Sequence, residues 1–170
     1  MTKIVWDSDA LSAFLWINKI NLLFDYYNDS EHIILEAVEE EIKKVKHLHD
    51  RLIAFEEVYN LEDLNVFNIE EMTYFNDLLE RMGMGEAACI AYAKFHNCNY
   101  VGSNNLSDIK KECKKQSIEI KTTTIILCEL VDSSNLTLDE AEELWTRMKS
   151  KRMILPLTTF KDQYDQYKNV

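Results

Sequence analysis

The chain has 170 residues, 46% of them hydrophobic and 11% aromatic, the size and apolar content of one domain with an ordinary core. Nineteen Lys and Arg against 30 Asp and Glu leave a formal net charge of −11. That balance excludes a broad basic face as the grip on nucleic acid, but not a nuclease whose bound cations supply the positive charge. No run approaches the roughly 18 uninterrupted apolar residues of a membrane span, and Asp7 and Asp9 precede any signal-like apolar stretch. A cytoplasmic protein without membrane association is expected.

Residues 3–7 (KIVWD) form a short apolar run ending in an acid, and Ser8 or Asp9 then N-caps a helix patterned on Ala10, Leu11, Phe14 and Leu15. A second helix is expected over 20–27, then a turn at Asn28, Asp29 and Ser30 and a buried strand over 32–35 (HIIL). Ala37, Val38, Ile42 and Val45 carry the apolar side of the next helix, and its other side is the charged series Glu39, Glu40, Glu41, Lys43, Lys44 and Lys46. Further on, the pattern predicts a helix over 49–58, a strand over 65–68 and a helix over 70–82 closed by Gly83.

A small-sided, almost wholly apolar helix follows, from about Gly85 to His96, and such a helix must lie against a sheet. A strand over 99–102 then stops at the polar elbow Ser103, Asn104 and Asn105, with a helix over 106–116 and a strand over 118–121 behind it. The Thr122, Thr123 and Thr124 run caps a helix over 125–131. Thr137 and Glu140 form a capping box for a helix over 137–149, and the last twenty residues read as a polar, Tyr-containing tail. Strands alternating with helices through short loops, with a single proline, predict an α/β domain: a central parallel sheet covered on both sides. We divide it into a core over 1–133 and a helical extension of the same domain over 134–170.

The four cysteines, at 89, 98, 113 and 128, contain no C-x-x-C pair and have no histidine at zinc-finger spacing, so free thiols are expected rather than a zinc site. The only three glycines, at 83, 85 and 102, fall within one short window, which needs close packing or unusual backbone geometry.

In open α/β sheets ligands bind beyond the carboxyl ends of the strands, where strand order reverses. Asp7 ends the first strand, Asn104 and Asn105 follow the strand at 99–102, and Asp108 lies one turn into the next helix. Glu86 opens the small-sided helix, and Glu41 lies in the helix after the second strand. Taken singly each acid has an ordinary role: a cap for Asp7, a solvated face for Glu41, a favourable helix-dipole charge for Glu86, a pairing with Lys111 or Lys115 for Asp108. Taken together they make a site of high negative charge that needs cations.

Three segments resemble the PIN-domain family of metal-dependent ribonucleases, which includes the toxins of VapC type. They are Ile4-Val5-Trp6-Asp7-Ser8-Asp9-Ala10-Leu11, Ala37-Val38-Glu39-Glu40-Glu41-Ile42 and, most specific, Gly85-Glu86-Ala87-Ala88-Cys89-Ile90-Ala91. The stretch from Leu136 to Pro156, with Trp145 and Met148, is similar to the end of one bacterial branch, so the resemblance spans essentially the whole chain. It implies a three-layer α/β/α PIN-like fold and an endoribonuclease that hydrolyses RNA phosphodiesters with Mg²⁺ or Mn²⁺, as the toxin half of a toxin–antitoxin pair. RNA is then the substrate, and an antitoxin and a second copy of the chain are the expected partners.

On that reading Asp7, Glu41, Glu86 and Asp108 are the catalytic metal ligands, with Ser8, Asp9, Asn104 and Asn105 supporting them. Lys43 and Lys46, with Lys44 beside them, and Lys110 and Lys111, with Lys114 and Lys115, would track the RNA backbone. One departure stands out: many family members place acid, often two in a row, where this chain has Asn104 and Asn105. The substitution leaves fewer charges in the site, and it keeps open a catalytically weak or inactive PIN-fold binding protein as the alternative. A flavodoxin-like or receiver-like domain also carries N-terminal acids but gives the Glu86 helix no reason.

Overall fold

The computed structural model describes residues 1–151 and 153–170. Five strands, β1 (Thr2–Trp6), β2 (Ser30–Leu35), β3 (Tyr59–Glu62), β4 (Tyr100–Gly102) and β5 (Glu119–Lys121), form one sheet in the order β3-β2-β1-β4-β5. Every pairing is parallel. The central strand β1 is buried on both faces through Ile4, Val5 and Trp6, as an apolar run in a parallel sheet demands.

Between β1 and β2 run α1 (Ser8–Trp16) and α2 (Ile20–Tyr26), and between β2 and β3 run α3 (Glu36–Lys43) and α4 (Lys46–Ile53). After β3 come α5 (Ile69–Leu79) and α6 (Met84–Phe95), then α7 (Leu106–Lys115) between β4 and β5. The chain closes with α8 (Thr123–Asp132), α9 (Leu138–Ser150) and α10 (Phe160–Lys168). The small side chains Ala87, Ala88, Ala91 and Ala93 let α6 lie on β1, β2 and β4, with α5 and α7 against it; α1, flanked by α2, α3, α4 and α9, belongs to the opposite layer. The result is the three-layer α/β/α sandwich with a parallel centre.

Four boundaries differ from the sequence reading. The third strand lies at Tyr59–Glu62, not at 65–68: Tyr59 is buried and pairs with His32, so the chain must be extended there. The expected helix over 49–58 therefore stops at Ile53. Residues 65–68 turn instead, Asn65 accepting from the Phe67 N–H at 3.1 Å and Asn68 capping α5 through the Glu71 N–H at 3.1 Å. The helix predicted through Val45 breaks after Lys43 because Val45 is extended and opens α4. Gly83 caps the start of α6 rather than ending α5, which stops at Leu79. The polar tail holds a further helix, α10, capped by Thr159 and anchored by the fully buried Phe160 against Trp145.

Gly102 carries a packing duty beside the site. A Cβ there would stand 2.0 Å from Cε3 of Trp6, its register partner on β1, so only glycine lets the indole lie across β4. The indole N–H donates to Nδ1 of the buried His32 at 3.1 Å, which locks the ring in place.

Candidate functional site

The chain leaves β1 towards β2 and leaves β4 towards β5, in opposite directions, so the crevice at the carboxyl ends of these two neighbouring strands is the switch point of the sheet. Asp7 sits there as the N-cap of α1, its Oδ1 accepting the Ser8 N–H at 2.8 Å while its own N–H donates to the Gly102 carbonyl at 2.8 Å. Only 3% of it is exposed. Burial pushes its carboxyl up to about 8, and the negative charges of Asp9 and Glu86 push the same way. Burial also raises Asp9, against the pull of the Asn104 N–H, which donates to both its oxygens at 3.1 and 3.0 Å.

The other acids arrive from three helices. Glu41, exposed on α3, accepts from the Ser8 hydroxyl at 2.8 Å. Glu86, at the third position of α6, accepts the Gly83 N–H at 3.0 Å, so it also caps its own helix. Its second oxygen takes a short hydrogen bond from Nδ2 of Asn105, and the same nitrogen donates to Oδ2 of Asp108 at 2.8 Å. A single polar network thus joins Asp7, Asp9, Glu41, Glu86 and Asp108 through Ser8, Ser103, Asn104 and Asn105.

Ser103 is the member that the sequence reading passed over as part of a polar elbow. Fully buried, it donates to Asp7 at 3.1 Å, lies 3.5 Å from Asp9, and accepts the Asn105 N–H at 3.3 Å. The signal was positional: it follows β4 as Asp7 follows β1. Asn104 plays a different part from the one expected of it. Its amide is turned towards α8, donating to Thr123 Oγ1 at 2.9 Å and accepting the Thr123 N–H at 2.8 Å, and only its backbone N–H serves the acids.

The cleft over these groups, about 910 Å³, is walled by Asp7, Asp9, Glu41, Glu86, Lys43 and Lys44. Lys43 pairs with Glu40 at 2.6 Å and Glu39 at 3.4 Å, leaving Lys44 the less engaged of the two. Lys46 is tied to Asp50 at 2.6 Å on α4 and does not wall the cleft. Lys110 lines a separate apolar groove between α7, α8 and the chain end, and Lys111 lines neither.

Gly85 shapes the floor. A Cβ on it would lie 3.1 Å from Oδ1 of Asp7 and 3.4 Å from Oε2 of Glu41, so the missing side chain leaves a cradle flanked by two carboxylates. Among the described residues no three His, Cys, Asp or Glu side chains stand close enough together to grip an ion as arranged, because serine and amide donors are interposed. The cradle, the repulsion around Asp7 and the hard oxygen donors nevertheless suit a divalent cation of the Mg²⁺ or Mn²⁺ type.

A three-layer α/β domain with an acidic crevice at its switch point is the class of protein that fold and site define. A family model described as PIN domain (DUF3368) matches residues 3–168, and the chain belongs to that family. No curated protein matches it. Among solved structures it is similar to a chain of VapBC2 from Rickettsia felis bound to a DNA fragment from its promoter, at 13% identity and a TM-score of 0.48, over 71% of this chain and 98% of that one.

Proposed function

We propose that this protein is a metal-dependent endoribonuclease, the toxin component of a toxin–antitoxin pair, working with Mg²⁺ or Mn²⁺. The observation that carries the reading is the carboxylate-flanked cradle over Gly85, with the nearly buried Asp7 on one side of it. Asp7, Glu41 and Glu86 would hold the cation, and Asp108 extends the acidic wall through Asn105. A divalent cation held there would supply positive charge, lowering the pKa of a water and offsetting charge on the phosphate oxygens.

The chain's own groups supply position. Ser8 holds Glu41, Ser103 holds Asp7 and Asp9 apart, and Lys44 at the rim offers a cationic contact to a phosphate of the strand. A net charge of −11 leaves little other attraction for RNA, so binding falls with chelator as well as with added salt. An antitoxin suited to this cleft presents an Arg or Lys among the carboxylates.

The second reading, a PIN-fold binding protein without activity, draws on Asn104, whose amide is committed to Thr123 and gives the site no charge. Incubation of total RNA with Mn²⁺ and the purified protein, native beside Glu86→Gln, decides between them. Gln keeps the acceptor for the Gly83 N–H and loses the charge, so the variant stays folded and loses most of the cleavage. Equal background cleavage by both proteins favours the second reading.

A further inference from the structure

We infer that Asn105 occupies the bridging position of the acidic site with its own amide, so that the site takes one divalent cation per chain and not two. The inference rests on the metal-dependent reading above and concerns how the site is filled. Nδ2 of an asparagine carries two hydrogens, and here each has a carboxylate acceptor: Glu86 from the start of α6 and Asp108 at 2.8 Å from the first turn of α7. The amide's direction is set by the two carboxylates, which can only accept, so the nitrogen faces the acids while Oδ1 accepts from the Ser107 hydroxyl at 2.8 Å. The Asn105 N–H, held by Ser103 at 3.3 Å, anchors its backbone to the group that also holds Asp7.

A point bonded to carboxylates from two different helices is where a hard cation bridges ligands, at about 2.0–2.6 Å from each oxygen. Nδ2 sits at such a point and offers both acids the positive end of a dipole, with no net charge and no free valence. Asp7 and Glu41, which flank Gly85, are the acids left outside the Asn105 bridge, and one cation shared between them is the filling that this arrangement implies. An acid at position 105 would reverse the arrangement, replacing a double donor with a third acceptor beside Glu86 and Asp108 and requiring a second cation.

The experiment counts Mn²⁺ by electron paramagnetic resonance and calorimetric titration of the full chain, with thermal melting in chelator as a readout independent of activity. The native protein binds one Mn²⁺. Asn105→Asp binds two, melts several degrees lower than the native protein in chelator, and recovers that loss when Mn²⁺ is added. Should Asn105→Asp fail to fold without metal, Asp108→Asn carries the test: it takes the charge from one of the two acids that the amide bridges and leaves the count at one. Two Mn²⁺ bound by the native protein, one by Asn105→Asp, or none by Asp108→Asn overturns the assignment of Asn105 while leaving a metal-dependent nuclease intact. No Mn²⁺ bound by either the native protein or Asn105→Asp overturns the underlying metal-dependent reading as well.

Discussion

Acidification should destabilise this protein through one histidine beneath the site. His32 is 3% exposed on β2; its Nδ1 accepts the Trp6 indole N–H, its Nε2 has no hydrogen-bond partner among the described residues, and Phe24 stacks on it edge to face at 5.0 Å between ring centres. A proton on Nδ1 would set two N–H donors against each other inside an aromatic pocket, so burial holds the imidazole down to about 4 from its ordinary 6.5. Between those values the unfolded chain binds a proton that the folded chain refuses. Stability contributed by the neutral ring is therefore complete above pH 6.5 and drains away as pH falls towards 4. At 1.36 kcal/mol per pH unit the loss is about 1.4 kcal/mol at pH 5.5 and about 3 kcal/mol by pH 4. Urea denaturation in chelator at pH 7.5 and 5.5 measures it, with His32→Gln as reference, because a glutamine oxygen still accepts from the indole but does not titrate. The stability gap between the native protein and the variant should narrow by about 1.4 kcal/mol on acidification. A gap that stays constant across that interval refutes the reasoning, since every other titrating group, Asp7 included, is common to both proteins.

Gly102→Ala should cost about 1–3 kcal/mol, or more if the backbone cannot shift, because the new methyl meets the buried Trp6 ring at 2.0 Å; in a chain of this size that is a fall of about 2–4 °C per kcal/mol in thermal melting. Millimolar Mn²⁺ should raise the melting temperature of the native protein, by about 2.7 kcal/mol of added stability at a hundred times the dissociation constant, and Asp7→Asn should lose most of that rise. Gly85→Ala should leave melting in chelator within about 1 kcal/mol of native, helix propensity offsetting the crowding at Asp7, yet blunt the Mn²⁺ response by filling the cradle; a full response in that variant would move the cation elsewhere. Thr159→Ala should cost about 1 kcal/mol through the lost cap of α10, read by urea denaturation.

The strands that the sequence made legible are those whose burial is one-dimensional. β1, β2, β4 and β5 are short runs built on apolar residues, and the pattern located each to within about two residues. β3 escaped because only Tyr59 in it is buried while Asn60, Leu61 and Glu62 are exposed, so its composition looks like a loop, whereas the other edge strand, β5, keeps the alternation of Ile118 and Ile120. α10 escaped for the matching reason, since one fully buried aromatic, Phe160, with the partly buried Tyr164 and Tyr167, holds a helix of otherwise polar residues. In both cases the deciding contact lies far away in the chain, with His32 for Tyr59 and with Trp145 for Phe160.

The acidic site divides along a similar line. The placement of Asp7, Glu41, Glu86 and Asp108 pointed to convergence, and among three consecutive glutamates the resemblance singled out Glu41, for a reason that only the helix makes physical. At about 100° per residue the helix sends them to different fates. Glu39 is buried against His49 at 3.1 Å, Glu40 meets Lys43 in solvent, and only Glu41 reaches Ser8. Nor does residue type alone distinguish the two adjacent asparagines, one spent on Thr123 and the other bridging two acids. That difference is set by backbone direction after β4: Ser103 follows the last strand residue, Gly102, Asn104 points across to α8, and Asn105 opens α7 facing Glu86. A chain that keeps its acids apart with serine and amide donors spares the empty site much of the repulsion that bare carboxylates would impose. It gives up cation affinity in the same measure, because each donor occupies lone pairs that a metal would use.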